Sequence, residues 1–443
     1  MSLVTPRKGY KSVPWLFGKE IEIPQEWEAH FCSNVFELKH GHQFGESDFV
    51  NKKGIKILRI EQITMNGTIN LEKCDSIDFN RLKDFKHILI QEGDILLSLT
   101  GQLIKPAIVP ELSKPVLQNY RVGKFITKNK NKLYKKYIYY LLNSTFIMKQ
   151  LMMLRNTQAQ PNIGKADFDK IKTILPLLSE QQKITSILSN VDNLIESTEK
   201  VITNSKKVKT GLMQKLLTRG IGHTKFKKVK WLFGKIIEIP EEWEIKEIID
   251  VGQNFGDAPF GSMLKTVDFT EKGIPIARGI NIKNNQFKWI HPLYTSKEKF
   301  DSLERSHCHE GDIGFQKIGN SIGDIAIMPK IEGHDVYLLS TNMMKMSVNP
   351  NIILTDYVFY YFSQNRVRDF IKLNSNGSAK PIFNFTTMKK FKIILPSLPE
   401  QQKIASILSN VDIQITSQTQ YKEKLERLKK SLMQKLLTGE IRV

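Results

Sequence analysis

The 443-residue sequence predicts an α+β protein in which two mixed α/β domains are separated by two long antiparallel helices, the second half of the chain repeating the first. Three observations carry this prediction. EQQKITSILSNVD at 180–192 returns as EQQKIASILSNVD at 400–412, twelve of thirteen letters unchanged. Two further blocks recur in the same order: WLFGKEIEIPQEWE (15–28) as WLFGKIIEIPEEWE (231–244), and LMQKLLT (212–218) unaltered at 432–438. Between the shared blocks the halves mostly differ, so the chain is a tandem duplication whose offsets run from 216 to 220 residues. That period is far above the 20–50 residues of solenoids and propellers, and each repeat is therefore a whole domain plus a helix.

The boundaries follow from the blocks: a first domain over 1–177, a helix over 178–220, a second domain over 221–397, and a second helix with a short tail over 398–443. Within the domains, β-branched runs bounded by Gly, Asn and Pro, such as GIKILRI (54–60), ILLSLTG (95–101) and IAIMP (325–329), read as strands. The aromatic-rich segments 133–155 and 355–374 have helical spacing. EGDI recurs at 92–95 and 310–313.

In the first long helix Ile184, Ile187, Val191, Leu194, Thr198, Val201, Ser205, Val208 and Leu212 alternate spacings of three and four, the pattern of a coiled-coil seam. The second keeps Ile404, Ile407, Val411, Tyr421, Leu425, Leu428 and Leu432, with Gln414 and Gln418 interrupting it. Ser179 with Gln182 fits a capping box, Pro399 suits a first turn, and Gly220 and Gly439 suit helix ends. Residues 180–217 would extend roughly 57 Å at the 1.5 Å rise of a helix. Beside the seam runs a second apolar edge, Leu188, Ile195 and Ile202, repeated as Leu408 and Ile415, which is expected to face a partner subunit.

The chain carries 66 Lys and Arg against 45 Asp and Glu, a formal charge of +21. A surplus of that size points to a polyanion, and nucleic acid is the first candidate. Cys32, Cys74 and Cys308 are too few and too scattered for a disulfide framework. With neither an apolar leader after a basic head nor an apolar run of about 18 residues, the expected location is cytoplasmic.

Matching helices and differing domains describe two equal mounting surfaces carrying two unequal heads. Equal surfaces suit two copies of one partner about a pseudo-twofold axis. Unequal heads suit two different ligands of one class. The order of domain, LPxLxEQQKIxSILSNVD helix, domain and same helix resembles the specificity subunit of type I DNA restriction–modification enzymes. The resemblance spans essentially the whole chain, on LPLLSEQQKI and LPSLPEQQKI together with the EIPQEWE/EIPEEWE and EGDI pairs. It implies that each head is a target-recognition domain for one half of a bipartite, asymmetric double-stranded DNA target, and that the helices set the gap between halves. It also implies that two modification (methyltransferase) subunits dock alongside, with restriction subunits. S-adenosylmethionine, ATP and magnesium are then expected on those partners, with no cofactor in this chain. Half-sites on one face of B-DNA repeat about every 34 Å, a span that suits helices of this length.

The sequence bears no enzyme signature: neither a Walker loop nor a G-x-G-x-x-G after a strand. The Pro-Pro-aromatic motif of amino-methyltransferases is missing too, NPNI at 349–352 being the nearest stretch. His307-Cys308-His309 lacks a second pair at zinc spacing and reads as a surface loop. Base and phosphate readers are sought among donors and acceptors on the heads. Arg59 and Arg278 occupy equivalent positions behind a strand. The loop 156–164 supplies Gln158, Gln160 and Asn162, and its counterpart 374–384 supplies Asn374, Asn376, Ser378, Lys380 and Asn384. Lys128, Lys130 and Lys132 form a basic run in the first head only. Gly101 and Gly319 close the EGDI stretches and allow close backbone approach. The rival readings are a free-standing regulator of a split operator and a fused nuclease–methyltransferase.

Overall fold

The computed structural model describes residues 6–50, 54–64, 67–100, 106–154, 164–319, 321–331, 333–373 and 382–443. The chain divides into two compact units, Met1–Thr198 with Tyr421–Val443, and Glu199–Gln420. The division falls inside the two long helices, Leu178–Arg219 and Leu398–Leu437. Each unit therefore holds one head, the first half of one helix and the second half of the other.

In the first unit, an antiparallel sheet runs Phe36–His40, Val122–Thr127, Ile95–Ser98, Pro106–Ile108. The helices Lys135–Asn143 and Thr145–Leu154 share its core. A second sheet has Ile55–Leu58 parallel to Val116–Gln118 at its centre, with Leu117 opposite Ile57. The ladder of Glu28–Phe31 with Lys172–Leu175 ties the start of the head to the entrance of the first long helix. The second unit repeats this plan. Its antiparallel sheet runs Gly252–Asp257, Met343–Val348, Ile313–Gln316, Ile325–Ile327, and Ile274–Ala277 lies parallel to Val336–Leu339. Glu244–Glu247 pairs with Lys392–Leu395.

Each repeated block has a structural cause. WLFGK closes a hairpin in both units: Trp15 N–H donates to the Lys19 carbonyl (2.7 Å) and Trp231 N–H to the Lys235 carbonyl (2.8 Å). Gly18 and Gly234 sit there at φ +67° and +65°, backbone that disfavours any residue with a Cβ. EGDI is a turn whose aspartate is held from two sides. Asp94 accepts from Gln91 N–H and Lys135, and Asp312 from His309 N–H and Lys345.

EQQK and LMQKLL meet at the foot of each head. In the first unit, Ile184 and Leu188 of the first helix share a core with Met433, Leu436 and Leu437 of the second. In the second unit, Ile404 and Leu408 of the second helix meet Met213, Leu216 and Leu217 of the first. The polar contacts follow suit. Lys429 pairs with Asp192 (2.5 Å) in one unit and Lys209 with Asp412 (2.6 Å) in the other. Low numbers on one helix face high numbers on the other, so within each unit the helices run antiparallel.

Glu180 and Gln181 are buried with their hydrogen bonds satisfied from the head. Glu180 accepts from the Trp27 indole (2.9 Å) and from Arg442 (2.7 Å). Glu400 accepts from the Trp243 indole (2.9 Å) and the Ile221 N–H (2.9 Å), and bonds with His223. Gln181 accepts from Tyr134 N–H and donates to the Lys132 and Pro176 carbonyls. Gln401 does the same with Leu354, Ile352 and Pro396. A buried amide left unmatched costs about 1–3 kcal/mol, reason enough for these letters to stay alike.

Several expectations need correction. The apolar stripe divides differently from the predicted seam: Leu194, Val201 and Val208 are 46–56% exposed, and Ile407, Tyr421 and Leu428 are exposed too. The edge expected to face a partner is buried instead, together with Ile184, Val191, Thr198, Ile404 and Leu425 of the seam. Leu188 and Leu408 have no exposed surface, Ile202 is 4% exposed, and Ile195 and Ile415 are half-buried. Two adjacent stripes on one helix satisfy the same spacing. The choice is made by the heads, which dock through Tyr140 on Asp192 and Tyr360 on Asp412. The aromatic segments each form two helices, interrupted at Ser144 and at Ser363–Gln364. Ser179 lies inside the first turn of a helix that opens at Leu178. His307–His309 is a strand with Cys308 fully buried, where a surface loop was expected.

Candidate nucleic-acid interface

Arg59 and Arg278 follow the paired strands Ile55–Leu58 and Ile274–Ala277, and each opens a short 3-10 turn. The Arg59 N–H donates to Gln62 Oε1, and the Arg278 N–H to Asn281 Oδ1. Their guanidinium groups are used differently. Arg59 pairs with Asp75 (2.7 Å) and covers the Phe49 ring, yet keeps a third of its side chain in solvent. Arg278 donates to the His291 carbonyl, while its Nε is buried with no hydrogen-bond partner among the described residues.

In the second head the Arg278 turn, Gly319 and Asn384 are linked through neighbouring residues. The Gln316 amide donates to carbonyls of the Arg278 turn, including Ile282 (2.6 Å). The chain leaving that strand, Lys317 to Gly319, is bridged to the far end of the 374–384 loop: Ile318 pairs with Ile382, and Phe383 N–H donates to the Lys317 carbonyl (2.9 Å). Gly319 is exposed at φ +88°, with no atom within 4 Å of where a Cβ would stand. Asn384 caps the helix Phe385–Lys389 by accepting from Thr387 N–H (2.8 Å). Gly101, Gln158, Gln160, Asn162, Asn374, Asn376, Ser378 and Lys380 lie outside the described residues.

The basic run of the first head sits apart from the Arg59 turn. Lys128, Lys130 and Lys132 are exposed, but Lys132 faces Glu28 (3.7 Å) and its carbonyl accepts from Gln181, which places this end of the run at the foot. Cys32 and Cys308 are buried, and burial pushes both thiols up, away from the reactive thiolate. Among the described residues no group of three metal-type side chains comes together, and no helix is long and apolar enough to cross a membrane.

A family model described as the type I restriction modification DNA specificity domain matches residues 24–205 and again 240–427. The chain belongs to that family.

Among relatives of these specificity subunits, the putative type I restriction enzyme MjaX specificity subunit of Methanocaldococcus jannaschii is 30% identical over 441 residues, 95% of each chain. The MjaVIII specificity subunit of the same organism is 29% identical over 81% of each chain. The fold is shared with the crystal structure of the type I S subunit from M. genitalium (TM-score 0.55, 15% identity, 93% of this chain and 96% of that one). It is shared too with a chain of a type I restriction–modification assembly (TM-score 0.54, 16% identity, 95% and 100%). Specificity subunits recognise DNA and are not themselves catalytic, which accords with the two target-recognition domains of this chain.

The sequence reading passed over the polar hubs Glu180/Gln181 and Glu400/Gln401. Their signal was available: three identical polar letters inside an apolar helix, conserved between two otherwise divergent halves of one chain.

Proposed function

We propose that this chain reads a bipartite, asymmetric double-stranded DNA target in the cytoplasm, one half-site per head, and assembles two modification subunits together with restriction subunits. The heads are assigned to 1–177 and 221–397, and the spacer helices to 178–220 and 398–443. The observation that carries the reading is the exchange of equivalent contacts between the feet. Asp192–Lys429 with Tyr140 in one unit corresponds, residue for residue at an offset of 220, to Asp412–Lys209 with Tyr360 in the other. This supports a pseudo-twofold antiparallel coiled coil, and hence two like docking faces for two like partners.

The exposed stripe Leu194, Val201 and Val208 recurs once per heptad on the first helix, and Ile407, Tyr421 and Leu428 follow the same register on the second with Gln414 interrupting; together they are the assigned docking face. Reading is assigned in the second head to Arg278, Gly319 and the 374–384 loop, and in the first to Arg59, Gly101 and the 156–164 loop. Guanidinium suits guanine, the carboxamides of Asn and Gln suit adenine, and the lysines suit phosphate. S-adenosylmethionine, ATP and magnesium chemistry belongs to the partners. The test is to map methylated bases in the host genome with and without this chain. Loss of one bipartite motif supports the reading, and an unchanged methylome refutes it.

A further inference from the structure

The two heads treat one phenylalanine in opposite ways. In the first, Phe44 follows the strand Phe36–His40 and is 7% exposed, packed on His42 and Phe85 with ring centroids 4.9 and 5.1 Å apart. In the second, Phe260 follows the corresponding strand Gly252–Asp257 and is 79% exposed. The local frame is otherwise the same. A Phe-Gly pair leads to a 3-10 turn whose aspartate accepts the N–H that opens it, Asp48 from Gly45 (2.7 Å) and Asp268 from Lys265 (2.7 Å). The second head inserts residues 262–265 between the pair and the turn. Seven residues before the EGDI glutamate, where the first head has Phe85, the second has Leu303.

In the second head a groove of about 440 Å³ lies against Phe260 and Leu303, the counterparts of Phe44 and Phe85. Its apolar wall includes Phe260, Leu303 and Ile318, with Met263 at the side. Its charges cancel: Lys317 pairs with Asp257, and Glu304 stands beside Arg305. The groove adjoins the residues assigned to reading, since Lys317 and Ile318 carry the bridge to Ile382 and lead directly to Gly319.

We propose that Phe260 is a wedge: its ring enters a base step of the half-site read by the second head, and the groove receives the face of the unstacked base. A slot with apolar walls, mixed polar groups and no net charge suits a base rather than a phosphate. The rest of the chain, at +21, supplies the attraction to the duplex. Apolar wedges of this kind unstack and kink DNA, and flexible pyrimidine–purine steps yield most easily. The second head then selects a deformable step without a hydrogen bond to it. The first head lacks this device because Phe44 is part of its core. The inference rests on the DNA-reading function proposed above.

The test uses the full chain assembled with its modification subunits on a duplex carrying the mapped bipartite site, with 2-aminopurine placed at each position of both half-sites in turn. The expected result is a several-fold fluorescence rise at one step other than the methylated base. That rise is lost in Phe260→Ala and restored in Phe260→Trp, and Phe260→Ala weakens binding about tenfold, the scale of one lost base-pair contact. Tight binding with no rise outside the methylated base, or a rise that persists in Phe260→Ala, overturns the wedge and leaves the bipartite reading intact. Failure of the assembled complex to bind any bipartite site overturns both.

Discussion

The two units share a foot and differ in the head. At the foot, Trp27, Glu180 and Gln181 match Trp243, Glu400 and Gln401 in identity and in the hydrogen bonds from the indole and to the glutamine. One detail departs: Glu180 is completed by Arg442 from the chain's end, Glu400 by His223 from the connection between repeats. In the heads, Phe44 is core and Phe260 is surface. Trp15 stacks on Phe146, whereas Trp231 lies under Arg366. Arg366 is half-buried there, and loss of solvent holds its guanidinium below its ordinary range. Surfaces that must mate with the same neighbour are held alike by packing and buried hydrogen bonds. Surfaces that meet different ligands are under no such joint constraint.

The comparison breaks most completely if the helices do not set the gap. Lengthening both by one turn, about four residues, between Thr198 and Glu199 and between Gln420 and Tyr421, is expected to change the gap in the methylated motif while both half-sites persist. An unaltered gap in methylation mapping contradicts the ruler.

Next in size is the buried edge of the helices. Leu188→Ala and Leu408→Ala are each expected to destabilise their own unit by about 2–5 kcal/mol, as cavities in a closed core do. Denaturant melts that match the wild type would return these leucines to the partner face. Gln181→Leu and Gln401→Leu should each cost about 1–3 kcal/mol by stranding three backbone groups, and by similar amounts. A large inequality between the two would show that the feet are equivalent only in appearance.

The smallest effect on stability belongs to the exposed stripe. Leu194→Asp and Leu428→Asp should leave the melt within about 0.5 kcal/mol of wild type while reducing the number of modification subunits bound. Light scattering of the mixed complex gives that number, and full occupancy would refute the assigned docking face.

Much of this was legible without coordinates. Near-identical blocks at offsets of 216 to 220 announced a duplication, and three-four spacing announced long helices ending near Gly220 and Gly439. The paired arginines behind a strand occupy equivalent turns. The placement of the lysine run at the foot was not legible, because it depends on Gln181 reaching the Lys132 carbonyl across 49 residues. The inserted residues 262–265 were visible as an indel, but their consequence for Phe260 was not.

The sequence by itself determined the repeat, the helices, the basic charge and the family, because each is a property of letters and local spacing. Only the tertiary structure decided which of two apolar stripes is buried, which charged groups pair, and which of two equivalent phenylalanines faces solvent. Those outcomes depend on what a distant segment places opposite a residue, and periodicity along one helix or strand carries no information about its neighbour.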